Sequence, residues 1–297
     1  MNIVITGSLG HIGKPLTEEL VQKGHHVTVI SSKSEKQADI ETLGAVAAVG
    51  SVEDTAFLTR VFTGANAVFC MIPPNFSAPD QVAYYSRIGD NYAQAIEQAG
   101  VKRVVHLSSY GAHLEKGTGF IVGSYHVENR LDSVADVAVT HIRPGYFYYN
   151  LYGFVGMIKA AGFMGANYGG DDKLALVSPV DIAAAVADEL TSSATDRHVR
   201  YVASDDRTCS EIAQVLGKAI GKPDLTWVVI SSEQMKAGLE ANGVPASAAA
   251  SLVELGSATH SGALRDDYDH HKPVMGKVKL EDFAPEFAAG FDQKQAH

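Results

Sequence analysis

The sequence predicts an α/β protein, a doubly wound parallel sheet carrying a smaller, discontinuous C-terminal lobe. Short apolar runs recur through the first half of the chain without polar alternation, as strands covered on both faces require. Segments with helical apolar spacing separate these runs, the pattern of crossover connections between parallel strands. At the first such junction, Thr6, Gly7, Ser8, Leu9, Gly10, His11, Ile12 and Gly13 place three glycines where a strand turns into a helix.

The elements follow in order. Residues 3–5 form the first strand, and Ile12, Leu16, Leu20 and Val21 recur at helical spacing behind the turn. Pro15 falls in the first helical turn, where its missing N–H costs nothing, and Gly24 closes the segment. Strands are predicted at 27–30, 46–49, 67–72, 104–107 and 137–142, with helices at 54–62, up to 98 and up to 135. Right-handed crossovers would bring every strand's carboxyl end to one edge of the sheet. Beyond Asn150 the spacing predicts a helix over 151–161, a glycine-rich stretch over 162–170, then a strand over 174–177 and a helix over 179–190 that rejoin the sheet. Short helices at 210–220, 232–242 and 246–255, a strand at 226–230 and a docking helix over 279–291, with Leu280, Phe283, Phe287 and Phe291 on one face, complete the chain. The predicted domains are therefore 1–150 with 174–203, and a smaller lobe of 151–173 with 204–297.

The chain has 297 residues, and a hydrophobic fraction of 46% suffices for a sizeable core. With 24 basic and 34 acidic side chains the formal charge is −10, which argues against a nucleic-acid partner. Cys70 and Cys209 form no disulfide framework and suit a reducing compartment. The first strand begins at Asn2, leaving no room for a signal peptide, and no apolar run approaches membrane-spanning length, so a cytoplasmic protein is expected. His113, His126 and His141 are scattered and read as core or polar residues. The run from Asp266 to His271 contains metal-ligand residue types, but without tetrahedral or octahedral spacing it reads as a solvated loop, and no metal is expected.

The glycine turn carries the chemistry. Glycine accepts a positive φ, removes the Cβ that would block a phosphate and lets helix and strand approach closely, while N–H groups at the helix start face an anion. Gly7, Leu9, Gly10, His11, Ile12 and Gly13 are accordingly predicted to cradle the pyrophosphate of a dinucleotide in a Rossmann-type fold. After the second strand, Ser31, Ser32, Lys33 and Ser34 replace the acidic residue that would bond an NAD ribose. Hydroxyls and a cation suit a 2′-phosphate, so NADP(H) is favoured over NAD(H), the alternative being an ordinary polar turn. Ser51 and Val52, after the third strand, are candidates to line the adenine, or else belong to a helix cap. Met71, Ile72 and Pro73, after the fourth strand, are candidates for the nicotinamide ribose.

These features together resemble the NmrA-like group of atypical short-chain dehydrogenases, which includes small NADPH-dependent quinone reductases and isoflavone-reductase-like enzymes. The resemblance rests on the Thr-Gly-x-x-Gly-x-x-Gly turn; on Phe62, Gly64, Ala65, Ala67, Val68 and Phe69; and on Val101, Arg103, Val105 and Ser108. It continues through Glu128, Leu131, Ile142, Arg143, Pro144, Gly145, Tyr146, Phe147 and Asn150 to the segment 280–283. It implies that Pro144 and Tyr146 pass the nicotinamide and that Ser108 and Ser109 lie beside the reacting carbon. Carbonyl reductases of this superfamily usually place a tyrosine four residues before a lysine. Here Tyr125 is followed at the fourth position by Asn129, and anchoring on Glu128 puts Ser124 at the lysine position and Phe120 at the tyrosine position.

Without the lysine a phenol near pKa 10 is a poor acid at neutral pH, so Tyr125 is either an unassisted proton donor or a packing residue. A quinone asks less, because its reduced form takes protons from water. Tyr146, Phe147, Tyr148, Tyr149, Tyr152 and Phe154 are expected to line an aromatic pocket. The favoured reading is an NADPH-dependent oxidoreductase acting on a flat, conjugated small molecule, with Ser109 and Tyr125 as catalytic candidates. A non-catalytic redox sensor of the NmrA type, and reduction of an imine or conjugated alkene, are the alternatives. Oligomeric state is left open.

Overall fold

A computed structural model describes residues 1–75 and 77–293. The chain begins with β1 (Asn2–Ile5), α1 (Gly13–Gln22), β2 (His26–Ser31), α2 (Gln37–Thr42), β3 (Val46–Val49), α3 (Thr55–Phe62), β4 (Ala67–Cys70) and α4 (Gln81–Ala99). It continues with β5 (Arg103–Leu107), α5 (Val122–Asp132), β6 (Ala138–Pro144), β7 (Tyr146–Phe147), α6 (Val155–Ala161), β8 (Met164–Ala166), β9 (Lys173–Val177) and α7 (Pro179–Thr191). The remainder is β10 (Arg197–Val202), β11 (Asp205–Thr208), α8 (Cys209–Ala219), β12 (Trp227–Val229), α9 (Ser232–Ala241), α10 (Ala246–His260), α11 (Asp266–His270) and α12 (Leu280–Asp292).

The main sheet has seven strands in the order β10-β6-β5-β4-β1-β2-β3. All pairings among β1 to β6 are parallel, with Ile3 opposite both Val27 and Ala67. From β1 the chain winds outward through β2 and β3, then returns to place β4 on the other side of β1. That reversal opens a crevice beyond the carboxyl ends of β1 and β4, the place where doubly wound sheets hold ligands.

The residues divide into two compact units. The first contains Met1–Glu115, Ile121–Arg143 and Ile182–Arg200; the second contains Lys116–Phe120, Pro144–Asp181 and Tyr201–His297. In the first, α3, α4 and α5 bury Leu58, Phe62, Ile88, Tyr92, Val127 and Leu131 against Val68 and Val104 of the sheet. In the second, α12 supplies Leu280, Phe283 and Phe287, which join Tyr148, Ile212, Leu216 and Trp227 in a separate core. Among the described residues no helix is long and apolar enough to cross a membrane.

Four elements depart from the sequence expectation. The strand at 174–177 forms as β9 but does not rejoin the main sheet; it pairs with β7 and, antiparallel, with β11. The sheet edge is taken instead by β10, whose sequence Arg-His-Val-Arg-Tyr-Val is too charged to read as a covered strand. The helix expected from 151 begins as a 3-10 turn over Tyr148–Phe154, where Asn150 and Gly153 are poor helix formers. α10 runs on through Gly256 to His260; glycine stands there because a Cβ would collide with the Asn167 side-chain oxygen, so it permits a close approach and does not end the helix.

Candidate functional site

At the end of β1, Gly7 has φ +93° and its position leaves no room for a side chain, since a Cβ would lie 2.6 Å from Cγ and Sδ of Met71. Gly13 opens α1, and a Cβ there would fall 2.0 Å from the carbonyl oxygen of Ser8. The turn is therefore built for glycine at both ends. Ser8 itself sits at φ +57°, held by its N–H to the Ile30 carbonyl at 3.0 Å and its hydroxyl to Ser31 Oγ at 3.0 Å. No side chain caps the amino end of α1 and no acidic residue lies in its first turn, so the end of the helix dipole is left to an anionic ligand. Leu9, Gly10 and His11 form the intervening turn, and the buried Ile12 is the N-cap residue just before the helix. These features fit a pyrophosphate.

The loop after β4 is tied to this turn. Thr6 Oγ1 accepts from the Met71 N–H at 2.8 Å, and the buried Tyr92 hydroxyl donates to the Met71 carbonyl at 2.6 Å. Burial pushes the Tyr92 phenol well above its ordinary pKa, so it keeps the proton it donates. Pro73 is fixed in turn by the Tyr84 hydroxyl, which donates to its carbonyl at 3.0 Å. The two loops that flank the crevice are thus locked by side chains from α4, a contact with no local sequence signal.

At the end of β2 the three candidate residues have different roles. Ser31 is buried, and its hydroxyl is occupied by Ser8 and by the Lys33 backbone, so it shapes the loop. Ser32 and Lys33 are exposed, and no carboxylate pairs with Lys33 among the described residues, which leaves a hydroxyl and a cation for a phosphate. After β3, Ser51 Oγ accepts from the Glu53 N–H at 3.1 Å, while Asp54, rather than Ser51, caps α3. The side chains of Val52 and Ile72 belong to the hydrophobic core. They therefore offer a ligand chiefly backbone.

At the ends of β5 and β6 lies a buried polar cluster that the sequence marks only as separate residues. Arg143 donates from Nε to Glu128 Oε1 at 2.9 Å and from Nη2 to Glu128 Oε2 at 2.6 Å. Ser108 donates its hydroxyl to Glu128 Oε1 at 2.5 Å, and its N–H to the Ile142 carbonyl at 2.8 Å. All three side chains are buried. Ser109 is partly exposed, with its hydroxyl 3.2 Å from the Tyr110 carbonyl. Tyr125 is partly exposed on α5, edge-on to His126.

Pro144 ends β6, and Tyr146 and Phe147 form β7 in the second unit. A Cβ on the intervening Gly145 would lie 2.1 Å from the Ala175 carbonyl oxygen. The expected aromatic pocket is only partly realised. Tyr148 stacks on Phe283 at 5.3 Å, Tyr152 stacks on Phe287 at 5.5 Å, and Phe154 packs against Trp227 at 4.6 Å, all as core contacts. The tail helix draws Tyr148 and Tyr152 inward, and Trp227 of β12 draws Phe154, because burying them removes large apolar surfaces from water. Phe147 and Tyr149 stack on each other at 5.0 Å. Tyr146 hydrogen-bonds to Tyr168, and burial pushes its phenol up to about 12.

The sheet order and the glycine turn define a Rossmann-type α/β protein. More narrowly, the chain belongs to the NmrA-like family, whose sequence profile matches residues 1–275. It is similar over 296 residues, at 25% identity, to the oxidoreductase YesF of Bacillus subtilis, a match covering 97% of this chain and 95% of that one. Its fold is similar to that of an NADPH-dependent quinone oxidoreductase of Escherichia coli solved with NADPH, at TM-score 0.82 and 22% identity over 96% of this chain and 99% of that one. A triphenylmethane reductase of Citrobacter sp. is similar at TM-score 0.81 and 19% identity, covering 97% and 100% of the two chains.

Proposed function

We propose that this protein is an NADPH-dependent oxidoreductase that reduces a small, flat, conjugated acceptor such as a quinone. The observation that carries the reading is the uncapped, acid-free amino end of α1 behind a turn in which glycine is required at Gly7 and Gly13. The names of its relatives, a quinone oxidoreductase and a dye reductase, agree with it. Gly7, Leu9, Gly10, His11, Ile12 and Gly13 hold the pyrophosphate, and Ser32 and Lys33 hold the 2′-phosphate. Met71, Pro73 and Ser108 border the nicotinamide half, with Pro144 and Tyr146 following β6. The bound cofactor supplies a hydride from its reduced nicotinamide ring.

The chain's own residues set which acceptors suffice. Neither Asn129, four residues after Tyr125, nor Ser124, which takes the lysine position when Glu128 is the anchor, provides an ammonium to lower a phenol's pKa, and Ser109 and Tyr125 are left as unassisted hydroxyl donors. An acceptor whose reduced form is a stabilised anion or a neutral leuco compound needs no strong acid from the protein. Positioning then carries most of the rate enhancement. The test is loss of NADPH absorbance with a panel of quinones, triarylmethane dyes and simple ketones. Turnover is expected with the first two groups and at background with ketones; no turnover with any conjugated acceptor overturns the proposal.

A further inference from the structure

The arrangement of Ser108, Glu128 and Arg143 fixes the direction of one hydrogen bond at the sheet edge. A guanidinium donates only, and Arg143 aims an N–H at each oxygen of Glu128. With both oxygens accepting, neither has a proton to offer, so the hydrogen between Ser108 and Glu128 belongs to Ser108. A serine hydroxyl has one proton. Ser108 has spent it inward, and what remains on Oγ is acceptor capacity alone. The residue is only 7% exposed, and its backbone N–H to the Ile142 carbonyl fixes the main chain, so the hydroxyl has little freedom to turn.

We infer that Ser108 is an acceptor for the nicotinamide carboxamide N–H, and that Glu128 and Arg143 are the positioning pair that enforces this polarity. The inference rests on the proposed NADPH-binding reading. β5 lies beside β4, on the opposite side of the β1–β4 crevice from β2 and β3, where the 2′-phosphate residues lie. The nicotinamide half of a dinucleotide therefore falls toward β5. The carboxamide NH2 in that half can only donate, which matches an acceptor-only hydroxyl. A Ser108 so committed cannot polarise a substrate oxygen, and that task is left to Ser109 or to water.

The test compares binding of NADP+, its thionicotinamide analogue and its 3-acetylpyridine analogue, which replaces the NH2 by a methyl, by calorimetry on the full chain. The loss of one hydrogen bond predicts acetylpyridine binding about fivefold weaker than NADP+, with thionicotinamide binding unchanged. Ser108→Ala, which leaves the Glu128–Arg143 pair intact, should bind NADP+ and the acetylpyridine analogue equally. It should bind 2′-phospho-ADP-ribose, which lacks nicotinamide, as the wild type does. Equal binding of all three dinucleotides by the wild type, or an undiminished preference in Ser108→Ala, overturns the inference while leaving the proposed function standing. Failure of 2′-phospho-ADP-ribose and NADP+ alike to bind overturns both.

Discussion

Gly13 shows how one missing carbon shapes the site. A methyl group at this position would sit 2.0 Å from a backbone oxygen of the same turn, so the turn must open or the helix must shift. Gly13→Ala should cost about 1–3 kcal/mol as overpacking. It should also lower NADPH affinity well beyond that of a surface substitution, because the displaced backbone is the proposed phosphate cradle; thermal melts and cofactor fluorescence measure the two effects separately. A second residue-scale prediction concerns His106, whose Nδ1 lies 3.0 Å from His141 Nδ1, with His141 Nε2 3.2 Å from Asp132. Burial, reinforced by His141, holds the His106 pKa well below its ordinary value. The unfolded chain therefore takes up a proton near pH 6.5 that the folded chain refuses, so stability is full above that pH and declines as pH falls below it. The slope is about 1.4 kcal/mol per pH unit for one proton. Urea midpoints at pH 7.5 and 5.5 should diverge in the wild type and less so in His106→Asn; equal divergence would assign the effect elsewhere. The polar identities of Ser108, Glu128 and Arg143 are plain in the sequence, but their union is not, because the three residues come from the loop after β5, from α5 and from β6.

Among elements, those that were legible share one property, a burial pattern repeated over several residues. β1, α1 and β2 read directly because three covered apolar positions, a required glycine turn and a helical stripe all agree. β10 and β11 were not legible: Arg-His-Val-Arg-Tyr-Val and Asp-Asp-Arg-Thr are edge strands whose polar side chains are partnered at long range, as Asp206 is by Arg265 at 2.9 Å. The aromatic run after β6 misled for a related reason. An aromatic residue lines a pocket or fills a core according to what covers it, and here α12 covers it from more than a hundred residues away. That helix is testable. Phe287 is fully buried, so Phe287→Ala should cost about 3–5 kcal/mol in the unit that contains it. Trp227, the single tryptophan of the chain, is buried in the same core, so its fluorescence should report the earlier transition during denaturation. An unchanged tryptophan midpoint would show that α12 is not integral to that core.

At the scale of the whole molecule the formal charge of −10 opposes a cofactor as anionic as NADPH, so the proposed preference for the extra phosphate must come from local groups. Lys33 is the exposed cation in that segment, with Ser32 beside it and no carboxylate from Ser31 to Ser34. A ligand that binds only the folded state stabilises it by about 2.7 kcal/mol at a hundredfold excess over its Kd, a rise in Tm of roughly 5 °C for a chain of this size. The wild type should therefore show a larger thermal shift with NADPH than with NADH at equal concentration. Lys33→Glu replaces attraction by repulsion at an exposed position that makes no core contact, so the unliganded Tm should stay within about 1 °C. The NADPH shift should fall to about 2 °C or less as affinity drops by more than tenfold, while the NADH shift holds or rises, because a carboxylate there can accept from the free ribose hydroxyl. A larger shift with NADH than with NADPH in the wild type would refute the assignment of Ser32 and Lys33 to the 2′-phosphate. An equal loss of both shifts in Lys33→Glu would refute it as well, by showing that the lysine supports the loop and not the phosphate.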